Sequence, residues 1–512
     1  MTYDRENFLK MAREKFPDER DFARVQDALE YATGKHAGVV RLSGEPYIIH
    51  PIYVATLLLE WGMDRDTVIA GLLHDVVEDT DTTAEEVGAK FGDDVALLVD
   101  GVTKVGQARA GREDVSKYLP ETKDTLMKLL VATGSDVRVL IVKLADRIHN
   151  LRTLEFQSAE KQKKKSRESL EVFGPLADRL NMGRVKTEIE DTSFHYLEPV
   201  RYEYLKHELE TRVGNSRKEL DKVENKIREK LEEEKIDGEI SGRMKSVYSL
   251  HKKLGKKDSI DDIHDLIALR VIVDDMASCY LVLGVIHELY EPLPGRIKDY
   301  ISRPKSNGYQ SLHTTVITPD GQIVEFQIRT HQMHDFAEYG LAAHFHYDAN
   351  KSSERYKKGA VEALPENLRW VLDLQDAATK LRSGEEVDFD ALKLNLFSDR
   401  IFVYTPRGDI FDMPSGALPL DFAYRVHSEL GKTATAFRIN GKIAKFDTPL
   451  KSGDIVEIIS RKNQAPKADW LAKVGTNHAR AKIRSQLRAA GIATAKRNNP
   501  QKKSRSNRNA EK

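Results

Sequence analysis

The chain has 512 residues, 40% hydrophobic and 32% charged, enough for about three domains with their own cores. Its formal charge is zero, yet Arg480–Lys512 holds eleven Lys/Arg against one Glu, leaving about ten net negative charges elsewhere. A single cysteine, Cys279, excludes a disulfide framework and a Cys-cluster zinc site. No apolar run approaches a membrane span, and the N-terminus (Asp4, Arg5, Glu6, Lys10) lacks a leader-type apolar core, so a soluble cytoplasmic protein with no membrane contact is expected.

Residues 1–195 read as almost all helix, with apolar residues recurring at three and four, as in Val54, Ala55, Leu57, Leu58 and Leu59. From Arg201 to Lys235 a charge-rich stretch with Lys/Glu pairs four apart predicts a connecting helix with a solvated face. The period then changes. Ala268–Val273 predicts a strand, and Thr314–Arg329 a hairpin turning at Pro319-Asp320-Gly321. Residues 351–391 read as a polar helical linker. Residues 392–461 form a small α/β module: a strand at 401–404, a turn at 406–409, a helix at 420–430, strands flanking Asn440-Gly441, and a last strand at 455–459. Residues 462–512 are a basic extension, partly disordered over its last 20 residues.

In the helical region, His50, His74, Asp75 and Asp146 sit in or beside apolar stretches. Imidazole with carboxylate is a ligand set for a hard or borderline divalent ion such as Mn²⁺, and such an ion lowers the pKa of its water. Leu72–Glu78 reads as one buried helix, which makes His74/Glu78 and Asp75/Asp79 neighbours one turn apart. Glu78 and Asp79 are then spare carboxylates for the attacking water. The competing reading is four hydrogen-bonded core residues.

A second candidate site lies on the returning hairpin strand. Val324, Phe326 and Ile328 face one way; Glu325, Gln327 and Arg329 face the other. That row is either a site or a solvated sheet face. Asp265 precedes the neighbouring strand and could join Glu325 in holding Mg²⁺ between nucleotide phosphates. Arg243, Lys245, Ser246, Lys252 and Lys253 form a basic cluster with a hydroxyl. The loop 298–313 offers cations for phosphates, Tyr309 for base stacking and Gly308 for close backbone approach. Strict period two points Arg270 away from Asp265.

The residues then become recognisable. Arg41-Leu42-Ser43-Gly44-Glu45-Pro46-Tyr47-Ile48-Ile49-His50-Pro51, His74-Asp75-Val76-Val77-Glu78-Asp79-Thr80, Val99-Asp100-Gly101-Val102-Thr103-Lys104 and Lys143-Leu144-Ala145-Asp146-Arg147-Ile148-His149-Asn150 resemble the HD-type hydrolase domain of RelA/SpoT homologues. Gly242-Arg243-x-Lys245-Ser246, Asp265, Asn307–Thr314, Glu325–Thr330 and Ala337-Glu338-Tyr339-Gly340-x-Ala342-Ala343-His344 resemble the synthetase domain of the same family. Leu394-x-Leu396-Phe397 and Asp421-Phe422-Ala423-Tyr424-x-Val426-His427 are similar to a TGS domain.

The resemblance implies a multidomain α+β chain: an all-α hydrolase domain (1–195), a connecting helix and α/β nucleotidyltransferase-like synthetase (196–350), a linker and a β-grasp TGS domain. It implies two opposed reactions: pyrophosphate transfer from ATP to the 3′-hydroxyl of GDP or GTP, and Mn²⁺-dependent removal of that 3′-pyrophosphate from (p)ppGpp. By matched position His50, His74, Asp75 and Asp146 hold the metal, and Glu78 and Asp79 handle the water. Arg41, Ser43, Arg147 and Asn150 line the nucleotide pocket. In the synthetase Asp265 and Glu325 serve Mg²⁺, and Glu325 is the base. Arg243 and Arg270 sandwich adenine, and Tyr309 stacks on guanine. Lys245, Ser246, Lys305, His313 and Arg329 hold phosphates, and Asn307 joins the nucleotide contacts.

The resemblance also makes His427 a tRNA contact, with the TGS region and the tail facing tRNA or the ribosome. Leu42 stands where the family usually has Lys, Val39-Val40 where a Gln-x pair is common, and Met244 where Pro is frequent. Arg296-Ile297-Lys298-Asp299 matches the basic loop of bifunctional members. The long form's C-terminal regulatory domains are expected to be missing. Two rivals remain: a hydrolase with an inactive synthetase, and a tRNA- or ribosome-sensing protein without catalysis.

Overall fold

The structure, a computed structural model, describes residues 4–107, 136–255, 259–260, 263, 267–305, 307–343, 400–461 and 465–490. They fall into two compact units, Met1–Val387 and Asp388–Lys512. The expected linker 351–391 and the tail beyond 490 lie outside the described residues.

The first unit opens with helices α1 (Arg5–Lys15), α2 (Glu19–Lys35), α3 (Ile49–Glu60), α4 (Arg65–Leu73), α5 (Val76–Asp79), α6 (Ala84–Phe91) and α7 (Asp93–Gln107). α8 (Arg138–Arg152), α9 (Ala159–Glu168), a π-helical turn at Ser169–Phe173, α10 (Gly174–Arg179) and α11 (Gly183–Leu197) follow. Acidic or hydroxyl N-caps set several starts; Asp64, for instance, accepts from Thr67 N at 3.1 Å to open α4. Leu58, Ile69, Leu72, Leu140 and Leu144 are fully buried where α3, α4 and α8 meet. Helix was expected over 1–195, and the described part is helical apart from turns and a Val40–Pro46 bridge. The single helix expected over Leu72–Glu78 is corrected: α4 ends at Leu73, and His74 and Asp75 form the turn before α5. Asp79 N still donates to Asp75 O at 2.8 Å, so the one-turn spacing of Asp75 and Asp79 survives.

α12 (Pro199–Glu233) is the expected connecting helix, 35 residues long. Its Leu220, Val223, Ile227 and Leu231 enter the core of a six-stranded sheet. The strands are β1 (Gly238–Met244), β2 (Ile267–Val273), β3 (Glu291–Pro292), β4 (Lys298–Asp299), β5 (Leu312–Ile317) and β6 (Ile323–Thr330), in the order β1-β2-β6-β5-β3 with β4 also on β5. β2 and β6 run parallel; the other pairs are antiparallel. α13 (Val247–Leu254), α14 (Met276–Leu289) and α15 (His331–Tyr339) complete it. Leu269, Val271, Phe326 and Ile328 share one face with Val282 and Ile286 of α14. The other face carries the polar row.

The helical and sheet parts of this unit touch closely. α15 ends at Gly340, whose φ is +57°. A Cβ there would lie 1.9 Å from Leu180 O. Leu341 N donates to Leu180 O at 3.0 Å, and Asn181 Nδ2 to Phe336 O at 2.9 Å. On α11, Asp191 accepts from Val247 N and Tyr248 N at 3.3 and 2.9 Å, taking up free N–H groups at the start of α13.

The second unit has β7 (Arg400–Tyr404) paired with β8 (Ile410–Pro414), and β10 (Lys442–Ala444), β9 (Ala434–Ile439) and β11 (Val456–Ser460) in a second sheet. α16 (Pro419–Val426) and α17 (Ser428–Thr433) replace the single helix expected at 420–430. The break is His427, extended at φ −163°, whose Nδ1 accepts from Glu429 N. The extension is not all tail. Trp470, Val474 and, on α18 (Asn477–Ala489), Ala479, Ile483 and Leu487 bury themselves in the core with Phe422 and Phe437. Asp421 ties it down, accepting from Gly475 N, Thr476 N and Thr476 Oγ1 at 2.7–2.9 Å.

Gly340→Ala should therefore lower stability by about 2–4 kcal/mol, since the left-handed backbone and the overlap with Leu180 both oppose it. Gly284→Ala, on an open face of α14 with nothing near its Cβ, should raise stability by up to about 1 kcal/mol. Urea unfolding of the two variants checks this; similar midpoints for both would contradict the docking.

Candidate functional sites

The first site gathers residues from three helical ends. His50 comes from α3, His74 and Asp75 from the α4–α5 turn, and Asp146 from α8. His50 Nε2 and His74 Nε2 face each other at 3.2 Å. Asp75 Oδ2 is 3.3 Å from the first and 3.2 Å from the second; Asp146 Oδ1 is 3.4 Å from His50 Nε2. Both imidazoles are buried. His74 Nδ1 lies 2.8 Å from Gly71 O, a partner that can only accept, so Nδ1 carries a proton and Nε2 is the atom turned to the cluster. His50 Nδ1 is 2.7 Å from His149 Nδ1. Two imidazole nitrogens that face each other beside two carboxylates form a donor set suited to a cation, so the residues fit the divalent ion that their chemistry implies. Among the described residues, ligand atoms of His50, His74 and Asp146 converge within 4.8 Å.

Burial works to lower His74, but Asp75 and Asp146 outweigh it and raise the imidazole. Burial works to raise the Asp75 and Asp146 carboxyls. His74 and His50 outweigh it for Asp75, as do Lys143 and the same imidazoles for Asp146, and both stay well below the usual range. Lys143 Nζ is 3.2 Å from Asp146 Oδ2. Tyr47 OH reaches Asp75 at 2.8 Å and Asp79 at 2.7 Å. Partial burial, then Asp75, Asp79 and Asp146, raise Glu78, the direction that favours a proton acceptor. Arg41 Nη2 donates to Asn150 Oδ1 at 3.3 Å, and Asn150 Nδ2 to Asp146 Oδ1. Arg147 instead pairs with Glu168 at 2.9 Å and stacks on Phe173 at 4.1 Å. Ser43 is half-buried and donates to Glu45. His149, Tyr47 and Lys143 were not singled out in the sequence. Lys143, three residues from Asp146, was the one with a readable spacing.

The second site is the polar sheet face, and it is not a solvated one. Gln327 and Arg329 are 8% and 1% exposed. Register settles the Arg270 conflict. Arg270 is opposite Gln327 and Ala268 opposite Glu325, so Arg270 belongs to the Glu325 face. Asp265 itself lies outside the described residues. Arg243 Nη1 donates to Gln327 Oε1 at 3.1 Å. Glu325 Oε1 is 3.0 Å from His313 Nδ1, and His313 Nε2 is 2.9 Å from Tyr309 OH. Burial lowers His313. A neutral His313 therefore donates from Nδ1 to Glu325 and accepts from Tyr309. Lys305 Nζ sits 4.6 Å over the Tyr309 ring, and burial lowers its pKa.

Glu338, on α15, holds Arg270 at 3.1 Å and Arg329 at 3.0 Å. Burial, then Arg329, pushes Arg270 down to about 10. Nε of both arginines is buried without a hydrogen-bond partner among the described residues. Ser246 caps α13 and bonds Ser249, and Asn307 donates to Asp178 O at 3.0 Å; Lys245 is half-buried. In the second unit His427 is exposed.

These features define a helical domain with a buried His/Asp cluster, a mixed-sheet domain with a basic polar face and a small α/β module. Residues 28–183 match the HD domain, 242–352 the region found in RelA / SpoT proteins, and 401–460 the TGS domain. A guanosine-3′,5′-bis(diphosphate) 3′-pyrophosphohydrolase of Aquifex aeolicus is 43% identical over 470 residues, 91% of this chain and 64% of that protein. A GTP pyrophosphokinase of Myxococcus xanthus is 41% identical over 91% of this chain and 61% of its own. A pyrophosphohydrolase of the first kind from Vibrio cholerae is 40% identical over 94% of this chain and 67% of its own. The chain belongs to the RelA/SpoT family, and it spans under two thirds of the first two relatives' length.

Burial raises Glu338, but Arg270 and Arg329 outweigh it and hold its pKa below the ordinary 4.5. A depressed carboxylate stabilises fully above its unfolded pKa and loses that as pH falls through the folded one. Glu338→Gln should cost about 1–3 kcal/mol at pH 7, with the gap to the parent narrowing below 4.5. Urea stability measured from pH 7 downward checks it; a gap that does not change would contradict the pairing.

Proposed function

We propose that the chain is a bifunctional, cytoplasmic alarmone enzyme. Residues 1–195 hydrolyse the 3′-pyrophosphate of (p)ppGpp, and 196–350 transfer pyrophosphate from ATP to the 3′-hydroxyl of GDP or GTP. The observation that carries this is the opposite charge of two separate clusters. One has converging imidazoles and carboxylates that call for a cation. The other has Arg243, Arg270, Arg329 and Lys305, which call for nucleotide phosphates.

In the hydrolase, His50, His74, Asp75 and Asp146 hold the ion, assigned as Mn²⁺. A divalent ion there polarises water toward hydroxide near neutral pH. Glu78 takes the water proton, and Asp79, fixed by Tyr47, orients the water. Arg41, Ser43, Arg147 and Asn150 hold the nucleotide, with Arg147 leaving Glu168 to do so. In the synthetase, Glu325 accepts the proton of the attacking 3′-hydroxyl, and neutral His313 holds that carboxylate in place. Glu325 and Asp265 hold Mg²⁺. The unpaired Nε groups of Arg270 and Arg329 await polar ligand atoms; Arg270 with Arg243 also offers flat cations to adenine. Tyr309 stacks on guanine once Lys305 turns to phosphate; Lys245, Ser246 and Asn307 complete the nucleotide contacts. The exposed His427 and the cations on α18 make the second unit the surface for tRNA or the ribosome.

Asp75→Ala should abolish Mn²⁺-dependent pyrophosphate release from ppGpp and leave synthesis from ATP and GDP intact. Glu325→Gln should do the reverse, lowering synthesis by at least the 10²–10⁴-fold, roughly, that a general base contributes. Both are read by nucleotide chromatography. Hydrolysis within tenfold of the parent in the first variant sinks the metal assignment; a parent that makes no ppGpp supports an inactive synthetase.

A further inference from the structure

His149 is buried, 4% exposed, on the turn of α8 that follows Asp146. One of its atoms, Nδ1, meets two partners: His50 Nδ1 at 2.7 Å and Arg41 Nη1 at 3.1 Å. The Tyr53 ring lies against it, centroids 4.1 Å apart. Arg41 can only donate. His50 must carry its proton on Nδ1 if its Nε2 is to face His74, Asp75 and Asp146 with a lone pair. Two donors on one nitrogen leave a single arrangement: His149 Nδ1 is the bare acceptor for both. His74 meets the same need with a backbone carbonyl; His50 has none and depends on a side chain.

We propose that His149 is a positioning residue that holds His50 in its metal-binding tautomer and joins that ligand to Arg41 of the nucleotide pocket. This rests on the metal reading of the first site. A partner of this kind on a ligating imidazole is worth about 10–100-fold in metal affinity. Burial in this packed position fixes where the acceptor must be, so the position of the replacing atom is the test. Asparagine places an amide oxygen near the site of Nδ1; glutamine carries it farther out, and leucine removes it.

The experiment titrates the full-length chain with Mn²⁺ and reads free Mn²⁺ by electron paramagnetic resonance, beside a thermal melt of each variant. The expected result is an affinity within about threefold of the parent for His149→Asn, and about 10–100-fold weaker for His149→Gln and His149→Leu. Comparing Asn with Gln keeps the test valid if the leucine variant does not fold. Parent-like affinity in all three, or equal loss in Asn and Gln, overturns the proposal and makes His149 a packing residue. A parent that binds no Mn²⁺ overturns the metal site itself, and this inference with it.

Discussion

Buried charge without a counter-charge is the constraint on which both sites depend. An ionised group taken out of water costs several kcal/mol unless something opposite meets it. The helical cluster has Asp75, Asp146 and two facing imidazole nitrogens, with Lys143 paired to Asp146. The sheet cluster has the reverse surplus, with Glu338 shared between two arginines. Each cluster is complete only with a ligand of the sign it lacks. On the proposed function, the same fold offers a cation site on helix ends and a polyanion site on a sheet face.

The two regions of the first unit share elements as well as a chain. α15 carries Glu338 into the arginine pair and ends on the Leu180–Gly183 turn. α11 extends the helical region and caps α13, the helix that follows Gly242–Ser246, through Asp191. α9 and the π-helical turn that leads to α10 receive Arg147, the neighbour of Asp146. Packed elements of this kind move in discrete steps rather than deforming continuously, so the tie between the regions is local backbone docking in addition to the long helix α12.

Much of this was legible in the residues. The period-two row of Glu325, Gln327 and Arg329 gave the polar face of the sheet, and Pro319-Asp320-Gly321 and Asn440-Gly441 gave the turns. His50, His74, Asp75 and Asp146 were readable because polar groups in apolar helices must be explained. What was not legible depends on partners far away in the chain. The break at His74-Asp75 brings His74 Nε2 within 3.2 Å of Asp75 Oδ2, a meeting of adjacent residues that helical periodicity does not foretell. Glu338 and Asp191 look like ordinary helical acids until tertiary packing places them. α18 was hidden by its Arg and Lys, which mask Ala479, Ile483 and Leu487 at spacing four. Hydrogen-bond partners such as His149 are invisible to periodicity altogether.

The convergence of the two Nε2 atoms is the central claim, and locating the ion tests it most directly. Crystals of the full chain soaked in Mn²⁺ should give one anomalous difference peak in the helical region. It should lie within ligand distance of His50 Nε2, His74 Nε2 and carboxylate oxygens of Asp75 and Asp146. A peak elsewhere in that region, or none at saturating Mn²⁺, would contradict the account.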